Sequence, residues 1–408
     1  MRRIIVNGGA PLSGKVSASG SKNAALPILF ATLMTDGVSR IENLPDIGDV
    51  RAALGILRGF GAKISRSGSV TLIDTSSLTY SPPRREEVCR IRASTYLIGA
   101  CLSRFGICEL SDFGGCNFSA RPIDLHIAAA EAMGAVSDGK RLVAKTLFGS
   151  EISFPKPSVG ATVNAILLAS SAVGETVIRG FACEVHVDAL IKFLISSGAD
   201  IERGADVIKI KGRCLHGGSV RIPPDMIEAG TFLALGALSE KGITVTNCEI
   251  AELSSAFEVL SSLGAELGFG KDGITARRGE KNNFTELTAT PYPGFPTDLQ
   301  PIFAVPMHIS GGKITDTVWP SRFGYLSELA RFGFVYKTEG NTAYIEPSRL
   351  DSAVASAPDL RGGMACIMAA ILAKGKSVVD SVEIVERGYE NLEAKLRSLG
   401  ADVKIFEE

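Results

Sequence analysis

A glycine returns about every 68 residues along the chain, six times, at Gly37, Gly106, Gly174, Gly242, Gly312 and Gly375. Each follows a helix-like apolar segment and precedes a short strand-like run, from Val38-Ser-Arg-Ile in the first case to Lys376-Ser-Val-Val in the last. A second marker keeps the same period: Gly61-Ala, Gly134-Ala, Gly198-Ala, Gly264-Ala, Gly333-Phe and Gly400-Ala. Two markers in step six times define a repeat, and a repeat fixes architecture before any single residue is interpreted. Units that stack into solenoids usually run about 20 to 50 residues. A longer unit can bury its own helices under its own sheet. Six units in 408 residues divide into two domains of three.

The first unit can be read in full. Lys15-Val-Ser-Ala-Ser alternates like a strand. Ser21 can cap a helix from Lys22 to Met34, and Asp36-Gly37 ends it. Val38 to Ile41 is a strand. A second helix runs from Asp49 to Phe60 with Val50, Ala53, Leu54 and Leu57 on one face, and Gly61 closes it. Strands at 63–65 and 70–73 follow, so the order is βαβαββ, and the other units are expected to keep it. Ile222-Pro-Pro-Asp225 is the expected return crossing, matched by Ser19-Gly-Ser21 near the start. The expectation is a discontinuous domain of residues 1–20 plus 224–408 and a second domain of residues 21–223.

An apolar content of 45% describes a packed globule. A net charge of −1 argues against a dedicated nucleic-acid binder. No segment has the length of a membrane span, and the N-terminus meets glycine too soon for a signal peptide. The eight cysteines are scattered without a CxxC, which signals neither a zinc site nor a disulfide framework. The chain reads as reduced and cytoplasmic.

The units differ at two places. The first helices start on different polar residues: Lys22, Arg92, Ser158, Glu228, Asp298 and Arg361. Helix N-termini present free N–H groups and a positive dipole end, and added lysine or arginine makes an anion site. Ordinary caps and solvated charges are the plainer alternative. The loops after the glycine-led strands also vary: Phe113-Gly-Gly-Cys116 through Arg121, Cys183-Glu184, Ser321-Arg322 and Glu386-Arg387-Gly-Tyr389. A cation near Cys116 would lower its thiol pKa and make it a better nucleophile or proton donor. Otherwise Cys116 is a small core cysteine, which is the reading given to the other seven. Asp298 is either a helix cap or a general base.

At this point the residues match a family. Ser21-Lys-Asn-Ala-Ala-Leu-Pro, Arg92-Ala-Ser, Gly114-Gly-Cys, Ala120-Arg-Pro-Ile-Asp-Leu-His, Ser158-Val-Gly-Ala-Thr, Phe295-Pro-Thr-Asp and Arg387-Gly-Tyr-Glu resemble the UDP-N-acetylglucosamine enolpyruvyl transferases. The resemblance spans essentially the whole chain, in order. It implies an α+β protein, a two-domain inside-out α/β barrel. Each domain would hold three βαβαββ units with inner helices and outer sheets. It implies a cytoplasmic 1-carboxyvinyltransferase acting in the first committed step of peptidoglycan synthesis, with phosphoenolpyruvate and UDP-N-acetylglucosamine as partners. No metal or organic cofactor is implied, and neither nucleic acid nor membrane.

Carried over residue by residue, Lys22, Asn23, Arg121 and Arg387 would hold phosphoenolpyruvate. Cys116 would add to it or protonate its methylene carbon, and Asp298 would take the sugar hydroxyl proton. Arg92, the run Arg121, Pro122, Ile123, Asp124 and Leu125, the run Lys156, Pro157, Ser158 and Val159, and Val318 would line the nucleotide-sugar site. Glu184, Asp225, Arg322, Asp359 and Arg361 match family positions in or near the cleft. The chain departs from the family at Gly48, Tyr96, Phe113 and His186. Those departures keep open a paralogue acting on another nucleotide or sugar hydroxyl. A non-catalytic nucleotide-sugar binding protein and an RNA terminal-phosphate cyclase are the rivals from further away. The Cys116 loop favours the nucleotide-sugar branch over the shikimate branch of the superfamily.

Overall fold

The computed structural model describes residues 2–110, 113 and 122–407. Helices and strands are mixed throughout, and the chain is α+β. It divides into two compact units, with boundaries between Ser19 and Gly20 and between Pro223 and Pro224. Each unit has its own hydrophobic core.

The second glycine marker has a clear physical cause. Gly61, Gly134, Gly198, Gly264, Gly333 and Gly400 all follow the second helix of a repeat, with φ of +99°, +97°, +95°, +91°, +89° and +94°. L side chains rarely adopt that conformation. In the five units with Gly-Ala, the alanine N–H reaches back to a carbonyl five residues earlier: Ala62 to Leu57, Ala135 to Ala130, Ala199 to Leu194, Ala265 to Leu260 and Ala401 to Leu396, at 2.9–3.1 Å. That is the Schellman closure of a helix, and it turns the chain back into the hairpin. The first marker is left-handed at Gly37, Gly106, Gly174, Gly242 and Gly375. In the fifth unit Gly311 takes that role at φ +79°. Gly312 instead opens the strand Gly312–Asp316, where a Cβ would lie 2.5 Å from Met307 Sδ.

Five of the sheets share one order: a strand parallel to the glycine-led strand, then that strand, then the two hairpin strands. The sixth unit's hairpin is completed by the N-terminal strand Arg2–Gly8, which pairs antiparallel with both Gly375–Asp380 and Asp402–Glu407. Two expectations are corrected. The strand Gly14–Ser17, expected in the first unit, runs parallel to Ile243–Thr246 of the fourth. The first unit's Val38–Glu42 is flanked instead by Ser219–Arg221. The two crossings exchange these strands, and each is pinned by backbone hydrogen bonds. Ser21 N–H donates to Pro223 O at 2.7 Å, and Asp225 N–H donates to Ser19 O at 2.8 Å. The second unit departs from βαβαββ: its sheet joins Ile107–Glu109, Arg141–Val143 and Val136–Ser137, and one helical turn, Arg85–Val88, precedes Arg92. Pro82 and Pro83 lack the N–H that a ladder strand would donate there.

The first helices are apolar all round and buried, as in Met226–Gly236 and Leu360–Leu372. Only their starts are polar. The second helices are one-sided: Gly48–Gly59 buries Val50, Ala53, Leu54, Ile56 and Leu57 on one face. No helix among the described residues is long and apolar enough to cross a membrane. Of the seven described cysteines, Cys101, Cys108 and Cys366 are buried, Cys183 and Cys248 partly so, and Cys89 and Cys214 exposed. The core expectation therefore fails for the last two.

Gly264→Ala places its Cβ 1.9 Å from Lys281 O at φ +91°, whereas Gly340→Ala, at φ +59°, meets open space. Urea unfolding is expected to show a loss of about 1 kcal/mol for Gly340→Ala and clearly more, about 3 kcal/mol, for Gly264→Ala. Equal losses would refute the steric account of the second marker.

Candidate functional site

In the Gly20–Pro223 unit the candidates stand at helix starts. Ser21 caps Lys22–Ala31, its side-chain oxygen accepting from Ala24 N–H at 3.3 Å. Lys22 Nζ lies 3.2 Å from Asp49 Oδ2, the carboxylate being 4% exposed. Asp49 opens the buried face of the second helix, and it holds the ammonium beside the first helix's free N–H groups. Asp49 was not singled out from sequence; a carboxylate on the apolar face of a helix was the available signal. Asn23 is half-buried next to Lys22. Arg92 opens a 3-10 turn, Arg92–Tyr96, that runs into Leu97–Phe105. Tyr96 meets Phe30 edge-on at 6.5 Å. Ser158 caps Val159–Ala169 through Ala161 N–H at 3.4 Å, while Lys156 is exposed. Pro122 and Ile123 lead into Asp124–Ala132, whose first turn carries Asp124 and Leu125. Burial raises the Glu184 carboxyl pKa above its ordinary value.

Three of these starts are joined in the interior. His126 Nδ1 lies 2.6 Å from Asn164 Nδ2. Asn164 Oδ1 accepts from Gly99 N–H at 2.7 Å, and its Nδ2 also donates to Thr95 O at 3.0 Å. The two backbone partners fix which end of the amide is which. Nδ2 is therefore the donor to His126, whose Nδ1 must be bare and whose proton sits on Nε2. Burial, then the charge of Arg92, pushes the imidazole pKa down to about 4, against a smaller opposing effect of Asp124.

In the other unit the candidates form one ion-pair group. A cap residue stands directly before the first residue of its helix. The helix starts only at Gln300, with Leu299 as its cap residue, so the reading of Asp298 as a cap is set aside. The Asp298 carboxylate instead accepts from Arg322 Nη1 at 2.7 Å and from Arg361 Nη2 at 3.3 Å. Both arginines are almost wholly buried, at 5% and 2% side-chain exposure. Arg322 also donates to Thr297 Oγ1 at 3.2 Å, and Thr297 donates in turn to buried Asp316 at 2.6 Å. Asp316 holds the backbone of the next loop, accepting from Val318 N–H at 2.9 Å and Trp319 N–H at 2.7 Å. Arg361 lies over the Tyr389 ring at 5.3 Å, and the Tyr389 hydroxyl bonds Thr231 Oγ1 at 2.9 Å. Asp359 adds negative charge beside Arg322 and Asp225 beside Arg361, so the two guanidiniums stand among three carboxylates, of which Asp298 is the partly exposed one.

At the remaining starts the polar groups are held by their own unit. Asp225 and Asp359 are caps, each accepting two backbone N–H bonds at 2.8–3.1 Å. Glu228 is buried and accepts from Lys395 Nζ and from Ser19 N–H, both at 2.6 Å; burial raises its carboxyl pKa despite the lysine. Arg387 ends the 3-10 turn Val382–Arg387, two residues before Tyr389. Cys116 and Arg121 lie outside the described residues.

Comparison with known proteins shows the family of the chain. The family model of EPSP synthase (3-phosphoshikimate 1-carboxyvinyltransferase) matches residues 6–396. A UDP-N-acetylglucosamine 1-carboxyvinyltransferase of Halothermothrix orenii is 39% identical over 99% of both chains. One of Clostridium botulinum is 40% identical over 99% of both. Among solved structures, the enolpyruvyl transferase NikO of Streptomyces tendae superposes with a TM-score of 0.89 at 26% identity, covering 99% of this chain and 98% of that one. EPSP synthase of Acinetobacter baumannii shares the fold, with a TM-score of 0.76 at 16% identity over the full length of both chains. This is the fold of an enolpyruvyl transferase, with basic residues at its helix starts. The chain belongs to the EPSP synthase family of 1-carboxyvinyltransferases.

The His126 geometry has a consequence for stability. Its folded pKa, about 4, lies below the ordinary 6.5, so the unfolded chain takes the proton first. The contribution is present above pH 6.5 and is lost as pH falls toward 4. It amounts to roughly 3 kcal/mol at full loss. His126→Asn should flatten the fall of stability across that window in urea titrations; an unchanged slope would contradict the neutral tautomer.

Proposed function

We propose that this protein transfers the enolpyruvyl group of phosphoenolpyruvate to the 3-hydroxyl of UDP-N-acetylglucosamine and releases phosphate. Relatives that carry this activity in their names match the chain at 37–40% identity over nearly its whole length. The observation that carries the chemistry is the Asp298 carboxylate held between Arg322 and Arg361. The reaction needs a base for a hydroxyl beside cations for a phosphate and a carboxylate.

Cys116 would supply a proton to the phosphoenolpyruvate methylene carbon, leaving C2 as an oxocarbenium-like centre. Asp298 would take the proton of the sugar hydroxyl as its oxygen bonds to C2. The tetrahedral adduct then loses phosphate, and a proton leaves the methyl group to restore the double bond. Lys22, Asn23, Arg121 and Arg387 would hold phosphoenolpyruvate, and a water-poor site strengthens each of these contacts. The contact from Arg361 to Asp298 is longer than that from Arg322, 3.3 against 2.7 Å, which makes Arg361 the guanidinium more easily surrendered to an incoming anion. Arg92, Pro122 to Leu125, Lys156, Ser158, Val159 and Val318 are assigned to the nucleotide sugar.

The same reading takes residues 1–20 with 224–408 as one domain and residues 21–223 as the other, each an inside-out α/β barrel. It assigns the protein to peptidoglycan synthesis in the cytoplasm, and so to cell shape and division.

A phosphate-release assay with both substrates tests the proposal. Asp298→Ala should lower turnover by about 100-fold or more while changing UDP-N-acetylglucosamine affinity far less. Cys116 should be alkylated selectively by epoxides shaped like phosphoenolpyruvate. Cys116→Asp should keep turnover and lose that sensitivity; full sensitivity in the variant would sink the Cys116 assignment.

A further inference from the structure

Thr95 and Gly99 are four residues apart, so in a continuous α-helix the Gly99 N–H would donate to Thr95 O. Here both groups bond to the side-chain amide of Asn164, at 2.7 and 3.0 Å. The amide is inserted into the helix at the junction between the 3-10 turn Arg92–Tyr96 and the helix Leu97–Phe105. Gly99 leaves the room for it, since a Cβ there would lie 2.8 Å from Asn164 Oδ1. The remaining Nδ2 hydrogen goes to His126 Nδ1. The His126 ring in turn lies against the first turn of Asn164's own helix, where a Cβ on Gly160 would come within 2.8 Å of Cε1. One buried amide thus ties together three helix starts: those opened by Arg92, by Asp124 and by Val159.

Replacing Asn164 by an apolar residue would leave Thr95 O and Gly99 N–H free to rejoin in one continuous helix. The turn bearing Arg92 would then be rewound, and the Asp124 start would lose its tether. We propose that Asn164, with His126 as its partner, is a positioning residue for acceptor recognition: the inserted amide sets where the Arg92 turn and the Asp124–Leu125 start stand. This rests on the reading that those starts hold the nucleotide sugar. The charged groups bearing on the imidazole are Arg92 from the 3-10 turn and Asp124 from its own helix; the helix Val159–Ala169 carries none.

The test measures UDP-N-acetylglucosamine binding by calorimetry and both KM values by phosphate release, in the full-length protein. Asn164→Ala and His126→Leu should weaken acceptor binding about tenfold, the size of one lost polar tether, with the phosphoenolpyruvate KM and kcat changed by no more than about threefold. His126→Asn presents an acceptor oxygen close to the Nδ1 position and should restore the native affinity. Asn164→Asp is isosteric, which guards against a folding failure. Its carboxylate cannot donate to Nδ1, so the ring must carry a hydrogen on Nδ1, and the adjacent negative charge favours the protonated imidazole. The imidazole resonance, one of four in the chain, should then titrate well above its native value by NMR. Unchanged acceptor affinity in Asn164→Ala and His126→Leu would overturn the proposal. So would equal weakening for both substrates, or a His126→Asn variant as weak as His126→Leu. Native protein that binds the nucleotide sugar but releases no phosphate would sink the functional reading and leave the binding comparison decisive. Native protein that binds none would sink both.

Discussion

Each repeat depends on one backbone event, the left-handed glycine after its second helix. At φ near +90° the helix ends, in the five Gly-Ala units the next N–H closes on a carbonyl five residues back, and the chain leaves toward its hairpin. A side chain would be strained there in every unit, and in several it would also strike a carbonyl: Lys281 O at 1.9 Å from Gly264, Arg349 O at 2.8 Å from Gly333. The alanine that follows is explained by the same closure, because it supplies the closing N–H from a small side chain. With the turns held by backbone geometry, the starts of the helices are free to differ without disturbing the fold. The candidate chemistry is found there.

That freedom has an electrostatic limit. The first helices are buried along almost their whole length, so a charge at their start stands next to apolar surroundings. Such a charge is tolerated with a partner and costly without one. The structure shows the partners: Asp49 for Lys22, Lys395 for Glu228, and Asp298 for Arg322 and Arg361. The pairs are not equivalent. Lys395 also donates to Ser19 Oγ at 2.6 Å, and Glu228 also accepts from Ser19 N–H, so that pair anchors the strand before the crossing. Asp298 is the one carboxylate of these three groups with substantial exposure, at 29% against 4% for Asp49 and 2% for Glu228.

Much of this was legible in the sequence because it is local. The repeat period, the cap Ser21 and the polar starts of the apolar first helices all follow from short-range rules. The exchange of strands between the first and fourth units was not legible. Gly14–Ser17 alternates identically whichever sheet receives it, and its partner Ile243–Thr246 lies more than 200 residues away. Asp298 could not be told from a cap, because a carboxylate at an apparent helix start looks the same until the arginines arrive from Arg322 and Arg361. Asn164 was hidden most completely. A single amide in an apolar helix reads as a blemish, and its meaning depends on a helix interruption that no propensity records.

The internal pairings also constrain how the proposed site would take up an anion. In the proposed reaction an incoming anion would compete with Asp298 for Arg361 rather than fall into an open positive pocket. The competition need not be severe. The Arg361 contacts to Asp298 are long, at 3.3 and 3.4 Å, and the guanidinium keeps its place over Tyr389 when one partner leaves. Arg322 is different, since its short bond to Asp298 is backed by Thr297 and Asp316. On the proposed reading, Arg361 would shift its bonding to the substrate while Arg322 would keep the carboxylate in place. A base that also served as a permanent counter-ion to both arginines would be a poor base. For the base proposed above, release of one cationic contact on substrate binding would favour uptake of the hydroxyl proton.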